Sequence, residues 1–295
     1  MALACEFEYF KPKTLKEAFK LLDKYGAKAR VLAGGTDLVG WMRDDLISPD
    51  AVVDLKGLEG LDKIENVNGT VRVGALVTFN ALRECGVVRT RLPLLWEAAG
   101  TVASSGLRNR ATMVGNVCSA VPCCDAGPVL LAYEAVLLLK SAKGERKVPA
   151  SGWFVGNRKT VIRAGELVTG VEIPVPARHG ACYVKLGRYK GEDLAQASVA
   201  VVALPGDVLR VAFGSVAPKP LRAAKIEKVL SGKPLSASAL EAAQRLVPQE
   251  ISPITDIRAS KEYRVHMTQV MLARGAKAAV SRLAGKGPKY GEKVI

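Results

Sequence analysis

The chain has 295 residues, of which 49% are hydrophobic and 24% charged, with a formal net charge of +15 at pH 7. This length and apolar content predict a globular protein with two or three packed cores, since single cores usually divide beyond roughly 250 residues. The basic residues are spread along the whole chain, only 5% of residues are aromatic, and no nucleic-acid-binding motif is present, which argues against a nucleic-acid-binding protein.

The first clear pattern is an amphipathic helix at residues 14–25. It begins with a capping box formed by Thr14 and Glu17 and ends at Gly26, which can adopt a left-handed conformation. An Asn-Gly pair at residues 68–69 predicts a hairpin turn. Three segments around it have the composition of short strands: residues 29–35, 51–58 and 70–79.

A helical pattern at residues 93–102 leads into a long polar passage with several glycines, residues 104–133. Loops of that length in compact domains are usually functional. A strand at residues 166–176, closed by prolines, ends this part of the chain. We predict a domain boundary near residue 177.

The character of the sequence changes after this boundary. Three antiparallel strands are predicted, at residues 181–188, 196–204 and 208–216. Helices are predicted near residues 222–230, 238–247 and 258–283, the second of them with a capping box of Ser238 and Glu241. The tail, residues 285–295, is expected to be loosely held.

The six cysteines show no pair of C-x-x-C units, and the only histidines are His179 and His266. A structural zinc site is therefore not expected. An iron–sulfur cluster usually takes four thiolates at tighter spacing than Cys118, Cys123 and Cys124 offer. We predict small buried residues in a reduced compartment and no metal ligands.

No membrane span is expected, because the longest apolar run, residues 129–139, is shorter than the ~20 residues that cross a bilayer and contains Glu134. The first ten residues contain two glutamates and lack a basic leader, so they do not have the pattern of a signal peptide. A cytoplasmic location is the expectation.

The stretch Val31 to Gly40 suggests an anion-binding loop. Gly34 and Gly35 can turn with positive φ and expose amide N–H groups without a Cβ in the way. Thr36 can add a hydroxyl donor, and Thr36 or Asp37 could cap a helix that starts at Leu38. A phosphate suits this loop, although a plain turn is the common alternative.

A second loop, Thr112 to Asn116, repeats this chemistry and is followed by Asp125. Two such loops facing each other can hold the two phosphates of a dinucleotide. Asp125 could then accept a hydrogen bond from a ribose or ribityl hydroxyl, or it could cap the next helix. Neither the Rossmann glycine motif nor a P-loop is present.

With these motifs the chain resembles, over essentially its whole length, the FAD-binding medium subunits of the molybdenum hydroxylases, the group of carbon monoxide dehydrogenase and xanthine dehydrogenase. The resemblance depends on LAGGTDL at residues 32–38 and on residues 108–132, where the family reads close to T-[IV]-G-G-N followed by S-P-x-x-D. GELVTGVEIP at residues 165–174 and YVKLGR at residues 183–188 add to it.

The resemblance implies an α+β fold. Residues 1–177 would form a two-subdomain FAD-binding fold of the PCMH or vanillyl-alcohol-oxidase type, with subdomains at about 1–55 and 56–177. Residues 178–295 would form a C-terminal domain of a three-stranded antiparallel sheet with helices.

The resemblance also implies the residues that bind FAD. Lys185 has a physical reason as well, since a cation near the isoalloxazine stabilises reduced, anionic flavin, although an exposed strand lysine is the simpler interpretation. The implied set is Leu32, Ala33, Gly34, Gly35, Thr36, Asp37 and Leu38 in the first loop, Thr112, Val114, Gly115 and Asn116 in the second, Asp125 for a hydroxyl, and Val168 and Lys185 beside the flavin ring.

Val114 departs from the family, which usually has a glycine there. A β-branched residue tolerates positive φ poorly, so either this position is extended or the phosphate approaches less closely. Cys123 and Cys124 occupy variable positions before Asp125, where a redox role near the flavin is the alternative to simple packing.

No catalytic side chain is predicted, because no nucleophile is paired with a base. By resemblance, a large subunit with the molybdenum cofactor hydroxylates the substrate, a small subunit with [2Fe–2S] clusters conducts electrons, and FAD in this chain passes them to an external acceptor, in a heterotrimer or a dimer of heterotrimers. The alternatives are a self-sufficient FAD-dependent oxidoreductase acting on a small substrate and an assembly subunit that has lost FAD.

Overall fold

A computed structural model describes residues 5–189 and 192–295. The first sheet of the described chain is small and parallel, with its strands in the order β1-β3-β2. The predicted cap at Thr14 is confirmed, since its Oγ1 accepts from the Glu17 N–H at 3.2 Å, while the Glu17 carboxylate accepts from the Lys13 N–H. The elements are β1 (Glu8–Phe10), α1 (Leu15–Tyr25), β2 (Ala29–Leu32), α2 (Leu38–Arg43) and β3 (Ala51–Asp54).

The next sheet is antiparallel with five strands in the order β4-β5-β10-β6-β7. The predicted Asn-Gly turn joins β4 and β5, with positive φ at Asn68 and Gly69. The strands are β4 (Ile64–Val67), β5 (Thr70–Gly74), β6 (Val136–Ser141), β7 (Gly144–Pro149) and β10 (Leu167–Pro174), and a separate hairpin is formed by β8 (Phe154–Gly156) and β9 (Lys159–Thr160).

Six helices lie between β5 and β6. The predicted helix at residues 93–102 is confirmed as α5. The passage at residues 104–133, predicted as a loop, instead contains three short helices. The first two are capped by Ser104 and Thr112, whereas Asp125, at the N-cap position of the third, makes no such bond. Each helix has too few turns to show an apolar period, which is why the sequence pattern did not reveal them. The six are α3 (Phe79–Glu84), α4 (Gly86–Arg91), α5 (Pro93–Thr101), α6 (Ser105–Arg108), α7 (Met113–Ser119) and α8 (Ala126–Ala132).

The C-terminal sheet contains the three predicted antiparallel strands and one more, in the order β11-β12-β13-β14. The prediction of three strands is therefore one short, because β14 has only two residues and no readable alternation. The strands are β11 (Gly180–Leu186), β12 (Ala197–Leu204), β13 (Val208–Gly214) and β14 (Leu221–Arg222), followed by α9 (Ala224–Leu230), α10 (Ala237–Glu250) and α11 (Lys261–Leu283).

The cap of α10 differs from the prediction. Ser236 is the N-cap and its Oγ accepts from the Ala239 N–H at 3.2 Å. Ser238 lies inside the first turn, so the predicted capping box of Ser238 and Glu241 is wrong. The helix begins earlier than its apolar pattern, which is why the pattern alone misplaced the cap.

Strand β12 connects two hydrophobic cores. Ala200 and Val202 belong to the larger core, which also contains the five-stranded sheet, whereas Val199 and Val201 belong to the smaller core under α11. Successive side chains of a strand point to opposite faces. The C-terminal sheet is therefore covered on both sides, which explains its nearly continuous apolar sequence.

The tail after α11 is docked rather than loosely held, so that expectation is wrong. The Gly291 N–H donates to Glu97 Oε1 at 2.9 Å, and Tyr290 Oη accepts from the Ala181 N–H at 3.1 Å. Its polar composition hides these long-range contacts. Among the helices that the structure describes, none combines the length and apolarity needed to cross a membrane.

Candidate functional site

A cavity of about 570 Å³ lies where the N-terminal parallel sheet, the helices α6 and α7 and strands β10 and β11 meet. This volume is within the range of small-molecule and cofactor sites. Both predicted glycine loops line it, and so do the side chains of Val168 and Lys185. Of the fourteen residues that the sequence proposed for the site, only Leu32 is absent from the lining; its side chain packs beneath Gly35.

The first loop follows β2. Gly35 has φ +78°, as predicted, but Gly34 does not have positive φ. Gly34 is required for another reason, which is close approach to a neighbouring backbone. Neither Thr36 nor Asp37 caps α2 through its side chain: Asp37 occupies the N-cap position without such a bond, so that prediction is wrong.

This loop has amide groups available for a ligand. In the described part of the chain, the N–H groups of Thr36, Asp37 and Leu38 have no protein acceptor, whereas the Val39 N–H donates to the Gly35 carbonyl at 3.0 Å. Backbone amides left free side by side at the start of a helix favour a negatively charged ligand.

The second loop is the start of α7. Thr112 is the N-cap, and its Oγ1 accepts from the Gly115 N–H at 3.0 Å. A Cβ on Gly115 would lie 2.7 Å from that oxygen. The glycine is therefore needed because the threonine cap closes tightly over it.

Val114 lies within α7, has no positive φ and is 3% exposed. The alternative in which this position is extended is wrong, since Val114 is helical and a helical φ suits valine. The other alternative, a less close approach of the phosphate, stays a prediction. A β-branched side chain here fills the larger core rather than obstructing a turn.

The two loops touch each other directly. A Cβ on Gly34 would lie 2.0 Å from the carbonyl oxygen of Arg110 and 2.7 Å from its carbonyl carbon. Arg110 lies just ahead of Thr112, which caps α7. The bare backbone of the first loop therefore packs against the backbone that leads into the second, and both face one cavity.

Asp125 does not cap α8, although it stands at the N-cap position. The Asn116 side chain takes that role, because its Oδ1 accepts from the Ala126 N–H at 3.2 Å. Asp125 instead accepts from Tyr183 Oη on one carboxylate oxygen and from Lys185 Nζ on the other, both at 2.8 Å. The carboxylate thus faces the cavity with β11 behind it.

Lys185 is buried, not exposed. Its side chain is 8% exposed, and its Nζ pairs with Asp125 and also donates to the Thr101 carbonyl at 2.9 Å. Burial, and to a smaller extent Asp125, raises the pKa of Tyr183 well above its usual value, so the phenol stays protonated and donates. Lys185 and Asp125 therefore form a buried ion pair in the cavity wall.

Sequence reasoning missed several parts of the cavity wall. Trp41 could have been found, since it lies one helical turn after Leu38 on the same helix. The others carry no recognisable motif, and most come from segments distant in sequence from the two loops. They include Arg30, Phe79, the turn at residues 102–103, Ile162, Glu166, and Glu192, Asp193 and Leu194.

The cavity turn at residues 102–103 is held in a strained conformation. Ala103 has φ +38°, which costs an L-residue roughly 1–2 kcal/mol. Arg108 Nη1 donates to the carbonyls of Val102 and Ala103 at 2.8 and 2.7 Å. These two bonds hold the turn against the cavity.

Cys118 and Cys123 also line the cavity. Burial raises the pKa of Cys118 to about 12 and that of Cys123 to about 11, so both are neutral thiols near pH 7. Cys124 is buried in the larger core. The geometry favours packing over the redox alternative, and within the described residues no group of three metal-ligating side chains occurs.

Two protein families match the chain in sequence. Residues 5–176 match the FAD binding domain in molybdopterin dehydrogenase, and residues 181–279 match the CO dehydrogenase flavoprotein C-terminal domain. The glyceraldehyde dehydrogenase medium chain of Sulfolobus acidocaldarius is 33% identical over 92% of this chain and 98% of its own. The xanthine dehydrogenase FAD-binding subunit of Escherichia coli O157:H7 is 32% identical over 94% of this chain and 97% of its own.

Solved structures agree with the sequence matches. Carbon monoxide dehydrogenase from Hydrogenophaga pseudoflava has a chain that superposes with a TM-score of 0.92 and 34% identity, covering 96% of this chain and 99% of that one. Quinoline 2-oxidoreductase from Pseudomonas putida 86 gives a TM-score of 0.89 at 28% identity, with 97% and 99% coverage. The predicted family resemblance and α+β FAD-binding fold are confirmed.

Proposed function

Because the chain belongs to the FAD-binding subunits of the molybdenum hydroxylase family, we propose that it holds FAD in the cavity between its two glycine loops and relays electrons from a partner subunit to an external acceptor. The contact between Gly34 and the Arg110 carbonyl is the observation that carries this proposal. This contact brings together two segments that are distant in sequence. Each has backbone amide groups suited to a phosphate, and both line the same cavity.

The residues present fit this cofactor. The free amides of Thr36, Asp37 and Leu38 suit the diphosphate, and the α7 N-terminus adds a positive dipole end beside them. Each Asp125 oxygen has one protein donor and room for another, so the carboxylate can accept from a sugar or ribityl hydroxyl. The proposed contacts are Ala33 to Leu38, Thr112, Val114 to Asn116, Asp125, Val168 and Lys185.

FAD, when bound, supplies the reversible uptake of electrons, and the protein supplies binding, orientation and electrostatics. Lys185 Nζ is buried, and attraction between a buried ammonium and developing negative charge is stronger than in water. Val168 lies beside a break in the β10 register, between Val168 and Gly170, and its 3% exposure makes it a firm apolar wall. These residues would stabilise the reduced ring and exclude water from it.

The partners and their arrangement belong to the same proposal. The family consists of subunits of multisubunit oxidoreductases. We propose that a large subunit holds the molybdenum cofactor and a small one holds [2Fe–2S] clusters, in a cytoplasmic heterotrimer or a dimer of heterotrimers. We further propose the division into an FAD-binding domain at residues 1–177, with subdomains at about 1–55 and 56–177, and a C-terminal domain at residues 178–295.

Absorption spectroscopy of the purified chain tests the proposal. Flavin bands, present on isolation or acquired when FAD is added and excess is removed, are the expected result. A chain that acquires no flavin bands would contradict FAD binding. Affinity purification of the tagged chain from its native source then tests the electron relay, which predicts co-purifying molybdenum and iron–sulfur subunits in fixed ratio.

A further inference from the structure

Helix α5 and strand β11 meet between the two parts of the chain and are joined by two polar contacts. One is the Glu97 carboxylate accepting from the Tyr183 N–H at 3.0 Å, and the other is Lys185 Nζ donating to the Thr101 carbonyl at 2.9 Å. Glu97 and Thr101 are one helical turn apart on α5. Tyr183 and Lys185 are two residues apart on β11, so their side chains share one face.

We infer that Glu97 and Arg282 form a positioning pair that fixes β11 against α5 and thereby sets Lys185 in the cofactor cavity, so that this pair tunes the reduction potential of the bound flavin. The inference rests on the proposed function for its effect on FAD. Its structural part, the control of Lys185, concerns this chain alone.

The Glu97 carboxylate is fully engaged. Its Oε1 accepts from Arg282 Nη2 at 3.0 Å and from the Gly291 N–H at 2.9 Å, and its Oε2 accepts from the Tyr183 N–H and from Arg282 Nη1 at 3.1 Å. The side chains of Glu97 and Arg282 are 6% and 3% exposed. Four donors on one buried carboxylate fix its position from three elements: β11, α11 and the tail.

Arg282 completes the same arrangement. Its Nη1 donates to the Ala181 carbonyl at 2.7 Å, its other nitrogens donate to the carbonyls of Pro288 and Lys289, and its guanidinium stacks on Tyr290 with 4.3 Å to the ring centroid. Tyr290 Oη in turn accepts from the Ala181 N–H. The outer edge of β11 is therefore hydrogen-bonded by side chains instead of by another strand.

The contacts of Glu97 and Arg282 with β11 are connected along this strand to residues that line the cavity. The β11 edge is held at Ala181 and at the Tyr183 N–H, and the next contacts along the same strand are Tyr183 Oη and Lys185 Nζ on the two oxygens of Asp125. Asp125 and Lys185 both line the cavity. Asp125 stands at the N-cap position of α8, not on β11, so a shift of β11 relative to α5 would displace Lys185 relative to both Asp125 and the cavity.

A positioning role and a purely structural role predict different results. Breaking a buried ion pair by removing one partner destabilises a protein under either role. Only a positioning role changes the accessibility of Lys185 in folded protein and makes the effect of Glu97 on the flavin depend on Lys185. The design therefore uses Glu97→Gln, Lys185→Met and the double variant in the full chain, with Glu241→Gln, an exposed carboxylate on α10, as the control.

The first measurement needs no cofactor. FAD-free protein is acetylated with a trace of acetic anhydride, and Lys185 is quantified by peptide mass spectrometry. We expect about a tenfold faster acetylation of Lys185 in Glu97→Gln than in the wild type or Glu241→Gln, the consequence of a ~1.4 kcal/mol weaker restraint. Equal rates in all three proteins would overturn the inference, whatever the result with FAD.

The second measurement is the midpoint potential of bound FAD. We expect Glu97→Gln to lower it by about 30 mV, which corresponds to about a tenfold change for a two-electron couple, in the wild-type background and by much less in Lys185→Met. Equal decreases in both backgrounds would overturn the inference. If Glu97→Gln does not fold, Arg282→Lys keeps the charge, loses the planar fork and is expected to show the same dependence.

Discussion

Gly34 and Arg110 are 76 positions apart in sequence, yet a single added carbon on Gly34 would lie 2.0 Å from the Arg110 carbonyl oxygen. The chain thus brings two glycine-containing loops into backbone contact, with no side chain between them. This contact explains why position 34 needs a glycine, while Gly35 is needed for a separate reason, its positive φ. It also fixes the spacing between the two sets of amides that face the cavity.

Gly34→Ala is predicted to weaken FAD binding by at least about tenfold, because the added Cβ must push the two loops apart. A titration that follows quenching of flavin fluorescence measures the dissociation constant. Gly40→Ala is the matched control: a Cβ there meets nothing within 4 Å and replaces a helical glycine, so we expect unchanged affinity and up to ~1 kcal/mol more stability. Equal affinities of the two variants would show that the loop contact is irrelevant to binding.

Val114→Gly, which introduces the glycine that the family resemblance leads us to expect at this position, is predicted to destabilise this protein. The change removes a buried side chain worth ~1.5–3 kcal/mol and places glycine inside α7 at a further cost of roughly a few tenths of a kcal/mol relative to valine. Thermal unfolding followed by circular dichroism should show a lower Tm, with no gain in FAD affinity. A variant that binds FAD more tightly would mean that Val114 obstructs the phosphate after all.

Cys118 and Cys123 are predicted to resist alkylation at neutral pH. Burial raises the pKa of each thiol, to about 12 and about 11, and the thiolate is the reactive form. We measure the rate of iodoacetamide labelling by mass spectrometry. For Cys123 in folded protein this rate should rise only as the pH approaches about 11. In protein unfolded with urea it should rise at a lower pH. Rapid labelling of folded protein at pH 7 would instead support a redox role for these thiols.

The folded state is predicted to lose stability in mild acid through His179. Its Nε2 lies 3.0 Å from Tyr133 Oη, a fully buried phenol, and burial lowers the pKa of His179. Because the unfolded histidine keeps its ordinary pKa near 6.5, the unfolded state binds the proton more readily. The contribution of neutral His179 to the free energy of unfolding is fully present above pH 6.5. It is lost as the pH falls through the lower pKa that His179 has in the folded protein.

Urea unfolding between pH 7.5 and 5 measures this effect. The free energy of unfolding of the wild type should decrease with falling pH more steeply than that of His179→Gln, which has no imidazole at position 179. Parallel pH dependences for the two proteins would exclude His179 as the group responsible.

The sequence predicted the local chemistry of the site correctly where a few adjacent residues determine it. The turn at Gly35, the cap by Thr14 and the strands β10, β11, β12 and β13 all follow from short-range patterns. The family resemblance added the order of the two loops. Those features could be predicted because their physical causes lie within a few residues.

The features that the sequence did not reveal depend on contacts between distant segments. The residues near Gly34 in sequence do not indicate its contact with Arg110. The interpretation of Lys185 as an exposed strand lysine fails because its partners, Asp125 and Thr101, come from other elements. The docked tail is another case, since the contact between Gly291 and Glu97 spans 194 residues. The composition of a segment predicts the structure of that segment alone, whereas each of these contacts depends on two segments that are far apart in sequence.

A crystal structure of the chain with FAD tests the central claim most directly. We predict a diphosphate within hydrogen-bonding distance of amide groups from both loops, between Gly35 and Leu38 on one side and at the start of α7 on the other, with a hydroxyl of the cofactor on Asp125. A cofactor bound outside this cavity, or held by one loop while the other faces away, would contradict the account.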